Sequence, residues 1–189
     1  MIKQKEIQLR HASRQGNLKI VKELIKAGAD VNNQDEFGTT ALMEAIEGRR
    51  NRKISLKEYE SLFRRIIKSI LLYLSNYHKV VKELIKAGAD VNMINNINHS
   101  ALMISACCDD YQVVKELIKA GADVNIRGVR GHTALIYASY NGSSKVAKEL
   151  IEAGADVNLS NDKNKTALIY AIASNNPVVI DILKNAGAK

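Results

Sequence analysis

The chain is expected to fold as a mostly α solenoid of five 33-residue helix–turn–helix–hairpin repeats, with a helical insertion in the second. Three observations predict this. The string Gly-Ala-Asp-Val-Asn begins at Gly28, Gly88, Gly121 and Gly154, and a shortened Gly-Ala returns at Gly187. The last four starts are 33 residues apart, while the first gap is 60. Each string follows a short amphipathic stretch and precedes a polar, turn-prone one. A fixed period of this length marks units that each bury one face against the next.

The second helix of each unit comes directly before the glycine. It reads Ile20-Val-Lys-Glu-Leu-Ile-Lys-Ala, Val80-Val-Lys-Glu-Leu-Ile-Lys-Ala, Val113-Val-Lys-Glu-Leu-Ile-Lys-Ala and Val146-Ala-Lys-Glu-Leu-Ile-Glu-Ala. Apolar residues at i, i+1, i+4 and i+5 with charges between them form one face of a helix. Glycine then stops it, because positive φ costs glycine no Cβ clash. Asn17, Asp110, Ser143 and Asn176 occupy the N-cap position, and Pro177 takes the first helical position of the last copy. Tyr77 is the exception.

The first helix of each unit opens on Thr40-Ala-Leu-Met, Ser100-Ala-Leu-Met, Thr133-Ala-Leu-Ile and Thr166-Ala-Leu-Ile. The leading hydroxyl predicts a cap, and the alternation of Ala with Leu or Ile permits close antiparallel packing. Between one unit's Asn and the next capping residue lie roughly eight polar residues, which predict a projecting hairpin-like finger.

These motifs resemble the ankyrin repeat over the whole chain except residues 48–75. The repeats are placed at about 2–33, 34–93 with the insertion at 48–75, 94–126, 127–159 and 160–189, in one domain spanning 1–189. The family's Thr-Pro-Leu-His becomes Thr-Ala-Leu-Met or Thr-Ala-Leu-Ile, which removes a hydrogen bond but not the fold. The finger glycine survives at Gly38 and Gly131, and Asn98 and Asn164 replace it elsewhere, since Asn tolerates positive φ. The first repeat is expected to cap the array with Lys5, Glu6, Arg10 and Arg14 facing water, and the fifth to cap the other end.

The insertion enters after Glu47. Arg49-Arg-Asn-Arg-Lys reads as a polar linker, and Ser55-Leu-Lys-Glu58 has capping-box spacing. From Leu56 the residues Tyr59, Leu62, Phe63, Ile66, Ile67, Ile70 and Leu74 recur at three and four, an amphipathic helix over 56–75. Packing on the array is the favoured role of this stripe. A helix that binds a partner or self-associates, or one that lies on a membrane surface through its basic side, is the alternative.

Composition narrows the function. The formal net charge is +8, but residues 49–75 alone carry eight Lys and Arg against two Glu. The basicity therefore belongs to the insertion and says little about the array. Basic residues are not interleaved with stacking aromatics, and the chain has two Phe and no Trp, so nucleic-acid binding is not expected. No apolar run is long enough to span a bilayer, and the first residues do not form a signal peptide. Membrane association is accordingly not the primary expectation. The cysteines Cys107 and Cys108 are neighbours, which fits reduced thiols in a cytoplasmic setting; delivery into a host cytosol is compatible with the same features.

No catalytic constellation stands out. His11, His78, His99 and His132 have no metal-ligand spacing, and neither a phosphate loop nor a nucleophile elbow occurs. No metal or cofactor is expected. The Asp and Asn of the repeated string occur once per unit and read as turn-stabilising groups.

The ankyrin resemblance implies a non-catalytic protein–protein interaction module, expected to be monomeric. Its contacts come from residues that vary between copies on the fingers and first helices. The partner-binding candidates are Phe37, Glu47, Ile97, His99, Arg127, Arg130, His132, Tyr140, Lys163 and Lys165. Arg127, Arg130, Lys163 and Lys165 surround Tyr140 with Asp162 as the opposing charge, so the expected partner is a protein with an acidic patch.

Overall fold

The computed structural model describes residues 2–50 and 76–189, within two compact units, Met1–Asp90 and Val91–Lys189. The insertion helix expected over 56–75 lies outside the described residues. Those described form an all-α array of about ten helices in stacked pairs.

The first unit contains α1 (Ile2–Arg14), α2 (Leu18–Lys26), α3 (Ala41–Arg50) and α4 (76–86). Helix α1 packs against both α2 and α3. Gly48 makes the α1–α3 approach possible, because a Cβ there would collide with the carbonyl of Arg14. Helix α3 continues through Arg50, so the polar linker does not begin at Arg49 as expected. Tyr77 lies inside α4 and is 1% exposed, and its hydroxyl donates to the Arg14 carbonyl at 2.7 Å. The position where sequence missed a cap is therefore filled by a core side chain. Glu6 is a second correction: it is buried rather than facing water, and its Oε1 accepts the Asp30 N–H at 3.3 Å.

The second unit contains α5 (Ala101–Cys107), α6 (Tyr111–Lys119), α7 (Ala134–Asn141), α8 (Ser144–Glu152), α9 (Ala167–Ala173) and α10 (Pro177–Asn185). First helices α5, α7 and α9 stack in sequence, and second helices α6, α8 and α10 stack behind them. Leu102, Leu117, Leu135, Leu150 and Leu183 are sealed between the layers. Burying each such side chain stabilises the fold by about 1.5–3 kcal/mol.

Local signals in the sequence explain the helix ends. Thr40, Ser100 and Thr133 each accept the backbone N–H three residues on, at 3.3 Å. Thr166 stands at the same position without that bond. Asn17 and Asp110 cap α2 and α6 through their side chains, whereas Ser143 and Asn176 occupy the cap without doing so. Each second helix ends before a glycine with φ between +78° and +90°, and a Cβ at any of the five would meet nothing within 4 Å. The left-handed backbone, not crowding, is what requires glycine there.

The repeated Asn also ties neighbouring copies together. The Asn92 side chain donates to the Gly121 carbonyl at 3.1 Å and accepts the Asp123 N–H at 2.8 Å. Asn125 does the same to Gly154 and Asp156, and Asn32 to Gly88 and Asp90 within the first unit. Asp30, Asp123 and Asp156 meanwhile accept the N–H two residues on. The turn-stabilising role expected of these groups holds, with a cross-copy ladder added to it.

Candidate functional site

The fingers of the second unit are tight hairpins closed by backbone bonds from Asn95 N–H to His99 O, Gly128 N–H to His132 O and Asn161 N–H to Lys165 O. In two of them an Asn shapes the tip. Asn95 Oδ1 accepts from Ile97 and His99, and Asn161 Oδ1 accepts from Lys163 and Lys165. Asp35 plays this part in the first unit, accepting from Phe37 and Thr39. The residue two beyond this anchor is thereby turned outward. Phe37, Ile97, Arg130 and Lys163 all hold this tip position, with Phe37 65% and Ile97 56% exposed.

The finger at 128–132 is built differently. Gly128 stands where the others have Asp or Asn, so the turn lacks that anchoring side chain. A Cβ on Gly128 would come within 2.7 Å of the Met103 sulfur and 2.9 Å of the Asn98 carbonyl. Close contact with the preceding finger thus excludes the usual anchor. Arg130 adopts φ +56° and Gly131 φ +70°, and the Arg130 carbonyl accepts the Asp162 N–H at 3.0 Å. Arg130 is neither Gly nor Asn, and its left-handed backbone is a local strain carried at the tip.

Beneath the tips runs a ladder of rings. His99 Nε2 lies 2.9 Å from the Tyr137 hydroxyl, and His132 Nε2 lies 3.0 Å from the Tyr170 hydroxyl. The rings of His99, Tyr137, His132 and Tyr170 follow one another at centroid distances of 5.6 Å, and Tyr140 meets Tyr170 edge-on at 6.1 Å. His132 Nδ1 is 3.1 Å from the Val129 carbonyl, which assigns its proton to Nδ1. Its Nε2 is then an acceptor, and the Tyr170 hydroxyl donates to it. Asn161 Nδ2 donates to the Tyr170 oxygen at 3.0 Å, linking the last finger to the ladder.

Burial tunes this strip. It lowers the His99 pKa below the ordinary imidazole value, with the nearby His132 acting in the same direction. It raises the Tyr137 phenol above its ordinary value, with Cys107 and Tyr170 adding to the effect. Both groups are thus held neutral, as partly desolvated polar rings should be.

The predicted site residues fall into two sets. His99, His132 and Tyr140 join the ladder, with Ile97, Arg130, Lys163 and Lys165 on the fingers above it. Arg127 also lies on these fingers, and its guanidinium pairs with Asp162, the opposing charge expected there, at 3.2 Å. Arg130, Lys163 and Lys165 are exposed on the same fingers. Phe37 and half-buried Glu47 belong to the first unit. There Glu44, at the position of Tyr137 and Tyr170, bonds Arg14 at 3.3 Å. Burial raises its pKa despite that cation.

Tyr137, Tyr170 and Asn161 were missed by sequence reasoning. A signal was present: each His–Tyr pair is separated by 38 residues, one period plus five. A finger histidine of one copy therefore meets the first helix of the next. Among the described residues no group of three His, Cys, Asp or Glu could hold a metal ion, and Cys107 and Cys108 form no disulfide.

Comparison with known families agrees with this architecture. A model described as ankyrin repeats in three copies matches residues 69–161 and 105–189, and another described as ankyrin repeats in many copies matches 9–56. The chain belongs to the ankyrin-repeat family. No curated protein matches it. Ankyrin repeats generally bind proteins. Among the described residues no helix is long and apolar enough to cross a membrane.

Proposed function

We propose that this ankyrin protein is a non-catalytic binding module of five repeats, with residues 48–75 inserted into the second. It takes a protein partner on the finger and first-helix surface of Val91–Lys189. The observation that carries the reading is the ring ladder beneath outward-turned tips. His99, Tyr137, His132, Tyr170 and Tyr140 form a continuous aromatic floor, and Ile97, Arg130 and Lys163 stand at one register position above it. Rigid aromatic residues and arginine are the types that most often dominate interfaces. Hydrogen bonds hold the floor in one geometry, which lowers the ordering cost of binding.

Charge selects the partner. Arg127, Arg130, Lys163 and Lys165 outnumber Asp162, which pairs with Arg127, so these fingers face an acidic segment. The partner is captured from native or host cytosol on immobilised protein, purified, and titrated by calorimetry. Arg130→Ala and Tyr140→Ala should each weaken binding by about 1–2 kcal/mol or more without altering the thermal melt. Reversing Lys163 and Lys165 should mainly slow association and flatten its salt dependence. Unchanged affinity in both alanine variants would remove this surface from consideration. The alternative reading, membrane association or self-assembly through 56–75, rests on residues outside those described.

A further inference from the structure

Neighbouring fingers of the second unit are held at a fixed spacing. The ring centres of His99 and His132, equivalent residues of successive copies, both lie 5.6 Å from that of Tyr137, so they stand no more than twice that distance apart. Stacked helices such as α5, α7 and α9 pack about 8–10 Å apart. Contacts at the tips keep the fingers from splaying. Gly128 leaves no room for a Cβ beside the Asn98 carbonyl, and the Arg130 carbonyl accepts the Asp162 N–H at 3.0 Å. Ile97, Arg130 and Lys163 thus form a row of exposed side chains at one finger position, apolar at one end and basic from the middle on. Arg130 occupies a left-handed backbone that glycine or asparagine adopts at less cost, so the guanidinium is kept in this row against local strain.

A ligand that reads this row must present side chains on one face at the same interval. A β-strand rises about 3.3 Å per residue, but its residues three apart point to opposite faces. Residues three or four apart on an α-helix share a face but span only about 4.5–6 Å, and residues seven apart span about 10.5 Å, beyond the usual stacking distance. A polyproline II helix has three residues per turn and rises about 3.1 Å per residue. Every third residue therefore returns to the same face after about 9 Å. Segments of this kind dock on aromatic-lined strips, because their backbone is already extended before binding. The rings of Tyr137, His132, Tyr170 and exposed Tyr140 supply such a strip here.

Taking the finger and first-helix surface of Val91–Lys189 as the binding face, we propose that it reads an extended polyproline II segment of the partner protein. That segment carries one apolar and two acidic side chains at every third position. The apolar side chain lies against Ile97, the first carboxylate meets Arg130, and the second meets Lys163, with Lys165 on the same finger. Chemistry fixes this order in space, since a carboxylate over Ile97 would lose water without gaining a counterion. The intervening positions accept proline, because a polyproline II backbone makes no internal hydrogen bonds.

Fluorescence anisotropy of labelled peptides titrated with the full chain is the test. One peptide has the core Leu-Pro-Pro-Glu-Pro-Pro-Glu and a second has the reversed sequence. Their isomers place the two acids only two apart, as in Leu-Pro-Glu-Pro-Glu-Pro-Pro. The better of the first two should bind at least about tenfold more tightly than its isomer. Lys163→Glu should abolish that preference, and a peptide with Lys in place of the Glu farther from Leu should restore it. Equal affinity for peptide and isomer means that the face reads net charge rather than register, which overturns the proposal. Tighter binding of a helical peptide with Leu and Glu seven apart overturns it too. If no peptide binds while the captured partner still loses affinity on Arg130→Ala, the ligand class is wrong and the binding face stands. If the captured partner is indifferent to both Arg130→Ala and Tyr140→Ala, the binding face itself falls.

Discussion

The α7–α8 and α9–α10 pairs differ little in sequence at their first helices, yet the same residue type meets different surroundings. Both first helices read Thr-Ala-Leu-Ile-Tyr-Ala, and both carry a tyrosine in the ring ladder. Ile136 is 1% exposed and Ile169 is 41% exposed. The helix, its register and its inward leucine follow from local sequence. Burial of the isoleucine follows from whether another pair is stacked on it. A motif in a repeat protein therefore specifies a unit, and its neighbour sets what each residue is worth.

Alanine substitution at the matched pair breaks this comparison most directly. Ile136→Ala should cost about 2–5 kcal/mol through cavity formation. Ile169→Ala, measured by urea denaturation at low protein concentration, should stay within about 0.5 kcal/mol. Equal losses would mean that the two isoleucines share one environment. Leu150→Ala is the internal standard, since Leu150 is fully buried and should also lose about 2–5 kcal/mol.

A smaller effect separates the two kinds of finger. Gly128→Ala should cost about 1–3 kcal/mol, because its Cβ must displace the Met103 sulfur and the Asn98 carbonyl. Asn161→Ala should instead lose the tip bonds to Lys163 and Lys165 and the link to Tyr170, each a modest net contribution of about 0.5–1.5 kcal/mol. Thermal melts of the two variants check the order. A silent Gly128→Ala would show that the preceding finger yields easily.

The smallest effect is in pH dependence. The folded protein prefers neutral His99, so its contribution is present above the ordinary imidazole pKa of 6.5. It is lost as pH falls through the lowered folded-state value. Stability of the wild type should therefore decline more steeply on acidification from about pH 7 to about pH 5 than that of His99→Gln. Urea melts across that range decide it, and parallel pH profiles would remove His99 as the source. Glu44 works in the opposite sense: its raised pKa favours the folded state as pH falls from neutrality toward the ordinary carboxylate range.

Much of this molecule was legible before any coordinates. The period, the Gly at the end of each second helix, the capping hydroxyls and the leucines of the inner face are local statements. They depend on backbone φ, on the nearest N–H groups and on helical spacing, which a sequence displays directly. The finger tips were legible too, because Asn98 and Asn164 could be recognised as glycine substitutes in a left-handed turn. What escaped were contacts one period apart. His99 finds Tyr137, Arg127 finds Asp162, Gly128 yields to Met103, and Asn92 reaches Gly121. Each pairs residues about 25 to 38 positions apart, so its existence depends on how one unit is laid upon the next. The burial of Glu6 and Tyr77 and the exposure of Ile169 have the same cause. The sequence by itself determined the unit and its ends, because those rest on short-range geometry. Tertiary structure alone decided which equivalent residues are core, surface or site, because that depends on the stacked neighbour.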